Sequence, residues 1–205
     1  MFTAIKVFWP VLVLAIFTSS LSRAADLKIG DNAPNWSSLP GTDEKTHSLS
    51  DYKNANLLIM AFSCNHCPVA QAYEDRLITL QNDYQNKGVQ LITVNVNNIP
   101  DDRLDKMIER AASKGFNFPY LYDETQKIGQ DYGAKVTPHI FLFDKNRKLV
   151  YMGAVDDNMK VDQVKKHYLR DAIDAQLAGK TPPEAVTKQF GCSIKYESEN
   201  KLTAQ

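Results

Sequence analysis

The chain has 205 residues, and its 24 Lys and Arg are balanced by 24 Asp and Glu, so it carries no formal net charge. Nothing in that balance gives an electrostatic footprint for nucleic acid, whose phosphates call for clustered Lys and Arg. Three cysteines are an odd number, unlike a disulfide-stapled miniature scaffold, and the length suits one domain with a full apolar core.

Residues 1–24 differ in kind from the rest. Lys6 supplies a short positive start, Val7 to Phe17 are apolar apart from Pro10, and Ser22-Arg23-Ala24 offers small residues where a signal peptidase reads. An apolar run of 11 residues falls short of the roughly 20 that span a bilayer as a helix. The segment therefore predicts a cleaved signal peptide and no stable membrane insertion after cleavage. No cysteine stands near the cleavage point to carry a lipid anchor. The expectation is an exported chain.

Downstream, apolar runs and turn signals alternate. Asn56 to Phe62 (NLLIMAF) reads as a buried strand, too short for a typical helix. Pro68 to Tyr84 reads as a helix, because Val69, Tyr73, Leu77, Leu80 and Tyr84 recur on one face. Gly88 ends it, and Val89 to Val96 is a second strand rich in β-branched residues. Pro100-Asp101-Asp102 opens a helix running to Lys114 and closed by Gly115. Pro119 to Tyr122 predicts a short strand and Glu124 to Tyr132 a short helix. Ile140 to Phe143 and Lys148 to Met152 form a hairpin around Asp144-Lys145-Asn146. A last helix is expected over Val161 to Leu177, stopped by Gly179 and Pro182-Pro183. The pattern implies one α/β domain over 25–180, a central mixed sheet flanked by helices, and a polar tail over 181–205. No Gly-rich phosphate loop of standard spacing is present.

The chemistry is concentrated in Cys64-Asn65-His66-Cys67. A strand precedes it and Pro68 opens a helix after it, which puts Cys64 at a helix N-terminus, where unpaired N–H groups favour an anion. The thiolate is the attacking species in disulfide exchange, so the placement activates Cys64. Cys67, further in, is expected to be shielded and able to resolve a mixed disulfide.

With these residues the sequence resembles the thioredoxin superfamily. Val136-Thr137-Pro138, followed by Ile140 to Phe143, matches the segment in which that family keeps a cis-proline facing the active-site cysteines. The resemblance implies a thioredoxin-like fold, a redox-active pair needing no cofactor, and Thr137 and Pro138 forming the substrate face, with Thr137 backbone groups pairing to an extended substrate. Phe62 to Pro68, Thr137-Pro138 and Gly191-Cys192-Ser193-Ile194-Lys195 together look like a peroxiredoxin-like group that carries a CxxC, near the exported thiol reductases. The implied partners are protein thiols or disulfides and a separate redox partner, in a bacterial periplasm. His66 precedes the second cysteine as in the strongly oxidising thiol oxidases, where histidine stabilises the first thiolate. Four positions depart from the relatives: Ser63 replaces the tryptophan of thioredoxin, Leu58 replaces its buried acid, and Leu57 and Ala61 replace the Pro and Thr of peroxiredoxins.

Other readings stay open. A zinc site lacks a second CxxC, and Pro68 occupies the place of the histidine in a haem-attachment motif. A Cu(I) chaperone would use Cys64, Cys67 and His66 with His139, since thiolate and imidazole suit that ion. A thiol peroxidase would depend on Cys64. Cys192 is either a small buried residue or a third redox thiol. His47 and His167 read as surface residues, and the acidic pairs at 101–102 and 156–157 as helix starts.

Overall fold

The computed structural model describes residues 26–197; the expected signal peptide, 1–24, lies outside them. Two short strands, β1 (Leu39–Pro40) and β2 (Thr46–His47), pair as a small ribbon before the main sheet. The main sheet begins with β3 (Leu57–Phe62), every residue of which is buried. It continues through α1 (Pro68–Tyr84), β4 (Val89–Asn95), α2 (Leu104–Lys114), β5 (Tyr120–Tyr122) and α3 (Lys127–Tyr132). A short β6 (Val136–Thr137) leads into β7 (His139–Phe143) and β8 (Leu149–Gly153), followed by α4 (Tyr168–Leu177) and β9 (Cys192–Ser193).

The five-stranded sheet has the order β5-β4-β3-β7-β8. β3 runs parallel to β4, with Ile59 opposite Leu91, and antiparallel to β7, with Met60 opposite Phe141. Alternation along β3 divides the core. Leu58, Met60 and Phe62 face Ile128, Tyr132 and Trp36, whereas Leu57, Ile59 and Ala61 face α1 and α4. On α1, Tyr73, Leu77, Leu80 and Tyr84 form the buried face that their spacing predicts. A strand covered on both sides has no reason to alternate polar and apolar, which explains the unbroken apolar run.

This topology decides where the site lies. The loops after β3 and β4 leave the same edge of the sheet, because the two strands are parallel. β7 runs the other way and starts at that edge, so Thr137-Pro138 meets the loop after β3. Arg110 fixes α2 against α1 through two hydrogen bonds to the buried Glu74, each 2.8 Å.

Three helices are shorter than expected, and of these α3 loses only its first residues, starting at Lys127 where Glu124 was expected. Pro100–Asp102 is a separate 3₁₀ turn, and Arg103 breaks to an extended conformation before α2 starts. Val161–Gln163 is likewise one turn of 3₁₀ helix. The next residues run back along 155–157: Lys165 donates its N–H to Asp157 Oδ1 at 2.9 Å, and Leu169 to the Val155 carbonyl at 3.0 Å. Those backbone bonds outcompete the continuous helix.

The segment after α4 is a working part of the fold as far as it is described. Thr187 Oγ1 accepts the Ala154 N–H at 3.0 Å and lies 2.7 Å from the Tyr151 hydroxyl. β9 pairs antiparallel with β6, Thr137 opposite Cys192, and Ile194 is buried in the core. The described residues after 180 thus pack against the domain expected over 25–180.

Candidate active site

Cys67 is the N-cap of α1, and its sulfur accepts the Ala70 N–H at 3.4 Å. Pro68 stands at the first helical position, where no donor is needed. Cys64 lies one loop earlier, so the helix amides that were expected to serve it go to the other sulfurs: Ala70 to Cys67, and Val69 to Cys192. Both cysteines of the CxxC are reduced and buried, with Cys64 at 2 % and Cys67 at 0 % exposure.

Each thiol shifts the other's ionisation. Contact with Cys64 is the first cause lowering Cys67 below the ordinary thiol range, while contact with Cys67 and burial push Cys64 above it, and the Thr137 hydroxyl, 3.1 Å from the Cys64 sulfur, pulls the other way. Cys67 Sγ donates to the Thr137 carbonyl at 3.2 Å. The coupled pair therefore gives up one proton readily and resists losing a second, and the single thiolate belongs to the pair.

The two intervening residues are anchored from elsewhere. Asp102, fully buried, accepts the Asn65 N–H at 2.7 Å and the His66 N–H at 3.1 Å on Oδ1. Its Oδ2 accepts from His66 Nδ1. With Nδ1 donating, Nε2 of the neutral ring is the acceptor nitrogen. Asn65 is gripped on three sides: it donates to the Asp101 carbonyl at 2.9 Å, accepts the Tyr120 hydroxyl at 3.1 Å, and its own carbonyl accepts Gln71 at 2.6 Å. An open polar cleft of about 570 Å³ lies beside His66, bordered by Lys106, Glu109 and Arg110.

Asp102 is the residue that sequence reasoning missed. Read as part of a helix start, it ends the 3₁₀ turn Pro100–Asp102, and its carboxylate faces the CxxC loop. The available signal was its place in the loop after a strand parallel to β3, whose end meets the end of β3 in any such sheet. Asp156 was underread in the same way: it is buried and accepts the Tyr73 hydroxyl at 2.9 Å and Arg76 at 2.6 Å.

The Thr137-Pro138 bond is cis, as the resemblance implied. The substrate edge expected at Thr137 is not open, since Thr137 and Pro138 are buried and β9 is paired along Thr137. His139 does not join the thiols. It lies on the opposite face of the sheet against Phe141, beside a small cavity lined by Asp26 and Lys135, where burial lowers its pKa to about 4. The donors that do converge are Cys64, His66 and Asp102, whose ligand atoms lie within 4.8 Å of one another. His167 is exposed, and His47 is half-buried between Asp43 and the Tyr52 hydroxyl.

Comparison with known proteins agrees with this arrangement. The family model described as Redoxin matches residues 28–168. The chain belongs to the Redoxin family. This redoxin is 26 % identical over 154 residues to the thiol-disulfide oxidoreductase ResA of Geobacillus thermodenitrificans, covering 74 % of this chain and 83 % of that one. An uncharacterized conserved protein of Geobacillus kaustophilus, 35 % identical, superposes with a TM-score of 0.79 over 84 % of this chain and 94 % of its own. A putative thiol:disulfide interchange protein DsbE of Chlorobium tepidum shares the fold at 22 % identity and a TM-score of 0.60, over 75 % of the redoxin and 98 % of itself. The fold is thioredoxin-like, with the mixed central sheet that the resemblance implied. Among the described residues, no helix of the redoxin is long and apolar enough to cross a membrane.

Proposed function

We propose that this redoxin is an exported thiol–disulfide oxidoreductase that exchanges disulfides with protein substrates through Cys64 and Cys67. The observation that carries the reading is the pair of buried, reduced cysteines at the start of α1, both of whose sulfurs lie within hydrogen-bond distance of Thr137 beside the cis-proline. Cys64, the first cysteine of the pair, takes the mixed disulfide. Cys67 then attacks the Cys64 sulfur; the Cys64–Cys67 bond forms, the bond to substrate breaks, and the electron pair leaves on the substrate sulfur, which takes a proton. The reverse sequence oxidises a substrate dithiol. The cysteine pair is the whole redox apparatus, so no cofactor is invoked, and a separate redox partner resets it. His66, positioned by Asp102, tunes the Cys64 thiolate, and the Thr137 hydroxyl favours it further. Stabilising the thiolate stabilises the reduced form, which makes the disulfide a stronger oxidant than that of thioredoxin. Export to a bacterial periplasm rests on the signal-peptide pattern of residues 1–24.

The test is equilibration of metal-free protein in glutathione redox buffers, with mass mapping of the pairings. A reversible Cys64–Cys67 disulfide is expected, and thiols that stay unpaired across the range would end the reading. A Cu(I) chaperone is favoured by one observation, the approach of Cys64 to His66. Asp102 contributes little to such a site, since it already accepts three hydrogen bonds. Stoichiometric Cu(I) binding without disulfide exchange would decide for that alternative.

A further inference from the structure

The CxxC is covered by the protein's own chain. β9 lies antiparallel along Thr137, which is where the thioredoxin resemblance places an extended substrate. The approach is close because residue 191 has no side chain: a Cβ there would stand 2.1 Å from the Thr137 carbonyl oxygen and 3.2 Å from the Pro138 nitrogen. Ile194 anchors the segment on its far side, buried in the core and donating its N–H to the Lys135 carbonyl at 3.0 Å. Between these two fixed points, Cys192 packs into the cluster formed by Cys64, Cys67 and Ala70. Its sulfur meets the Cys67 sulfur and the Val69 N–H. Cys67 thus touches a thiol on each side, Cys64 from its own loop and Cys192 from the tail.

We propose that Gly191–Ile194 is a built-in substrate surrogate whose Cys192 forms a second, isomeric disulfide with Cys67. The inference rests on the reading of Cys67 as an exchanging thiol. Starting from the oxidised protein, the Cys192 thiolate attacks Cys67 Sγ. The Cys67–Cys192 bond forms, the Cys64–Cys67 bond breaks, and the electron pair leaves on Cys64, which takes up the proton that Cys192 lost. No electrons are gained or lost overall. The helix start suits the reaction, since Val69 N–H faces the attacking sulfur and Ala70 N–H the attacked one. The product is a two-electron-oxidised protein in which Cys64 is again a free thiol. In that form Cys64 can attack a substrate disulfide while Cys67 is unavailable to resolve it, so the mixed disulfide waits for a thiol of the substrate itself. That is disulfide rearrangement rather than net oxidation or reduction.

The experiment uses the full mature chain carrying Cys64→Ser, equilibrated with excess glutathione disulfide, acid-quenched and mapped by mass. A Cys67–Cys192 crosslink in most molecules is expected. Recovery of Cys67 and Cys192 as free thiols, or as separate glutathione adducts, overturns the inference. Should Cys64→Ser fail to fold, the same map of the unmodified protein decides: a population with Cys64 alkylated and Cys67 joined to Cys192 supports the inference, and Cys64–Cys67 alone at every redox ratio overturns it. Cys192→Ser separates this idea from the proposed function. A Cys64–Cys67 bond there, with no crosslink in Cys64→Ser, removes only the surrogate, whereas no bond in Cys192→Ser removes the oxidoreductase reading itself.

Discussion

The Nδ1–H of His66 donates to the carboxylate of Asp102, which is fully buried and comes from a different loop. One acid thereby sets both the backbone of the CxxC loop and the tautomer of its histidine. Asp102→Asn keeps an acceptor for the two backbone N–H groups but loses the charge and the acceptor for His66 Nδ1–H. The loss of one charged hydrogen bond, about 1.5–3 kcal/mol, corresponds to roughly a 10- to 100-fold slower exchange if it is expressed in the transition state. Stopped-flow reaction with glutathione disulfide checks this, and an unchanged rate would show that the acid is only structural.

Thr137→Val removes the hydroxyl 3.1 Å from Cys64 while keeping the shape of the side chain. The Cys64 thiolate loses a donor, so its ionisation moves to higher pH, and stability falls by about 0.5–1.5 kcal/mol. Thr137→Ser restores the hydroxyl and should restore the titration. Alkylation rate against pH, followed at Cys64 by mass, distinguishes the two variants.

The reduced protein should show a pH-dependent stability that the Cys64–Cys67 oxidised form lacks. The Cys64–Cys67 pair gives up its first proton below the ordinary thiol range in the folded state, whereas its second proton and that of Cys192 are held above it. Between that first ionisation and the ordinary thiol range, the unfolded chain binds one more cysteine proton than the native one, so this contribution grows with pH. Above that range the unfolded thiols all ionise while the native pair keeps its second proton longer, and the contribution falls. Urea melts of both redox forms from acid to alkaline pH give the difference directly. A difference that does not vary with pH would contradict a thiolate held by the pair.

Gly191→Ala places a methyl 2.1 Å from the Thr137 carbonyl. The segment must withdraw, at a cost of about 1–3 kcal/mol for overpacking. The expected readout is faster alkylation of both Cys64 and Cys192, since each is uncovered by the same movement.

Asp156→Ala should be the most damaging of these changes to stability. It strands Arg76, whose Nη1 lies 2.6 Å from that carboxylate, and leaves the Tyr73 hydroxyl without its partner. Removing one member of a buried pair costs about 3–5 kcal/mol. Tyr73→Phe, which deletes only the hydroxyl, should cost about 1 kcal/mol. Chemical denaturation orders the two.

The parts of this protein that were legible in the sequence are those encoded locally. The apolar run ending at Phe62 and the four-three-four spacing from Tyr73 to Tyr84 specify a strand and a helix without reference to anything distant. Cys64 and Cys67 were legible for the same reason. Asp102 was not, because its role depends on β4 lying beside β3, and an acid after a proline at a helix start has an adequate local explanation. Cys192 was ambiguous because its meaning depends on where a polar-looking segment returns. Phe190 and Ile194 were the clues, as apolar residues that an unattached tail has no use for. The last helix was overextended because periodicity cannot sense the backbone bonds that Lys165 and Lys166 make to Asp157.

The grip on Asn65 and His66 also has a consequence for engineering. The tetrapeptide is not a portable cassette. Transplanted into another thioredoxin-like scaffold, it would leave behind Asp101, Asp102 and Tyr120, and with them the conformation that makes this loop what it is. Whoever wishes to move this redox character elsewhere must graft two loops and a strand residue together, and a chimera carrying only the four letters should behave like its host.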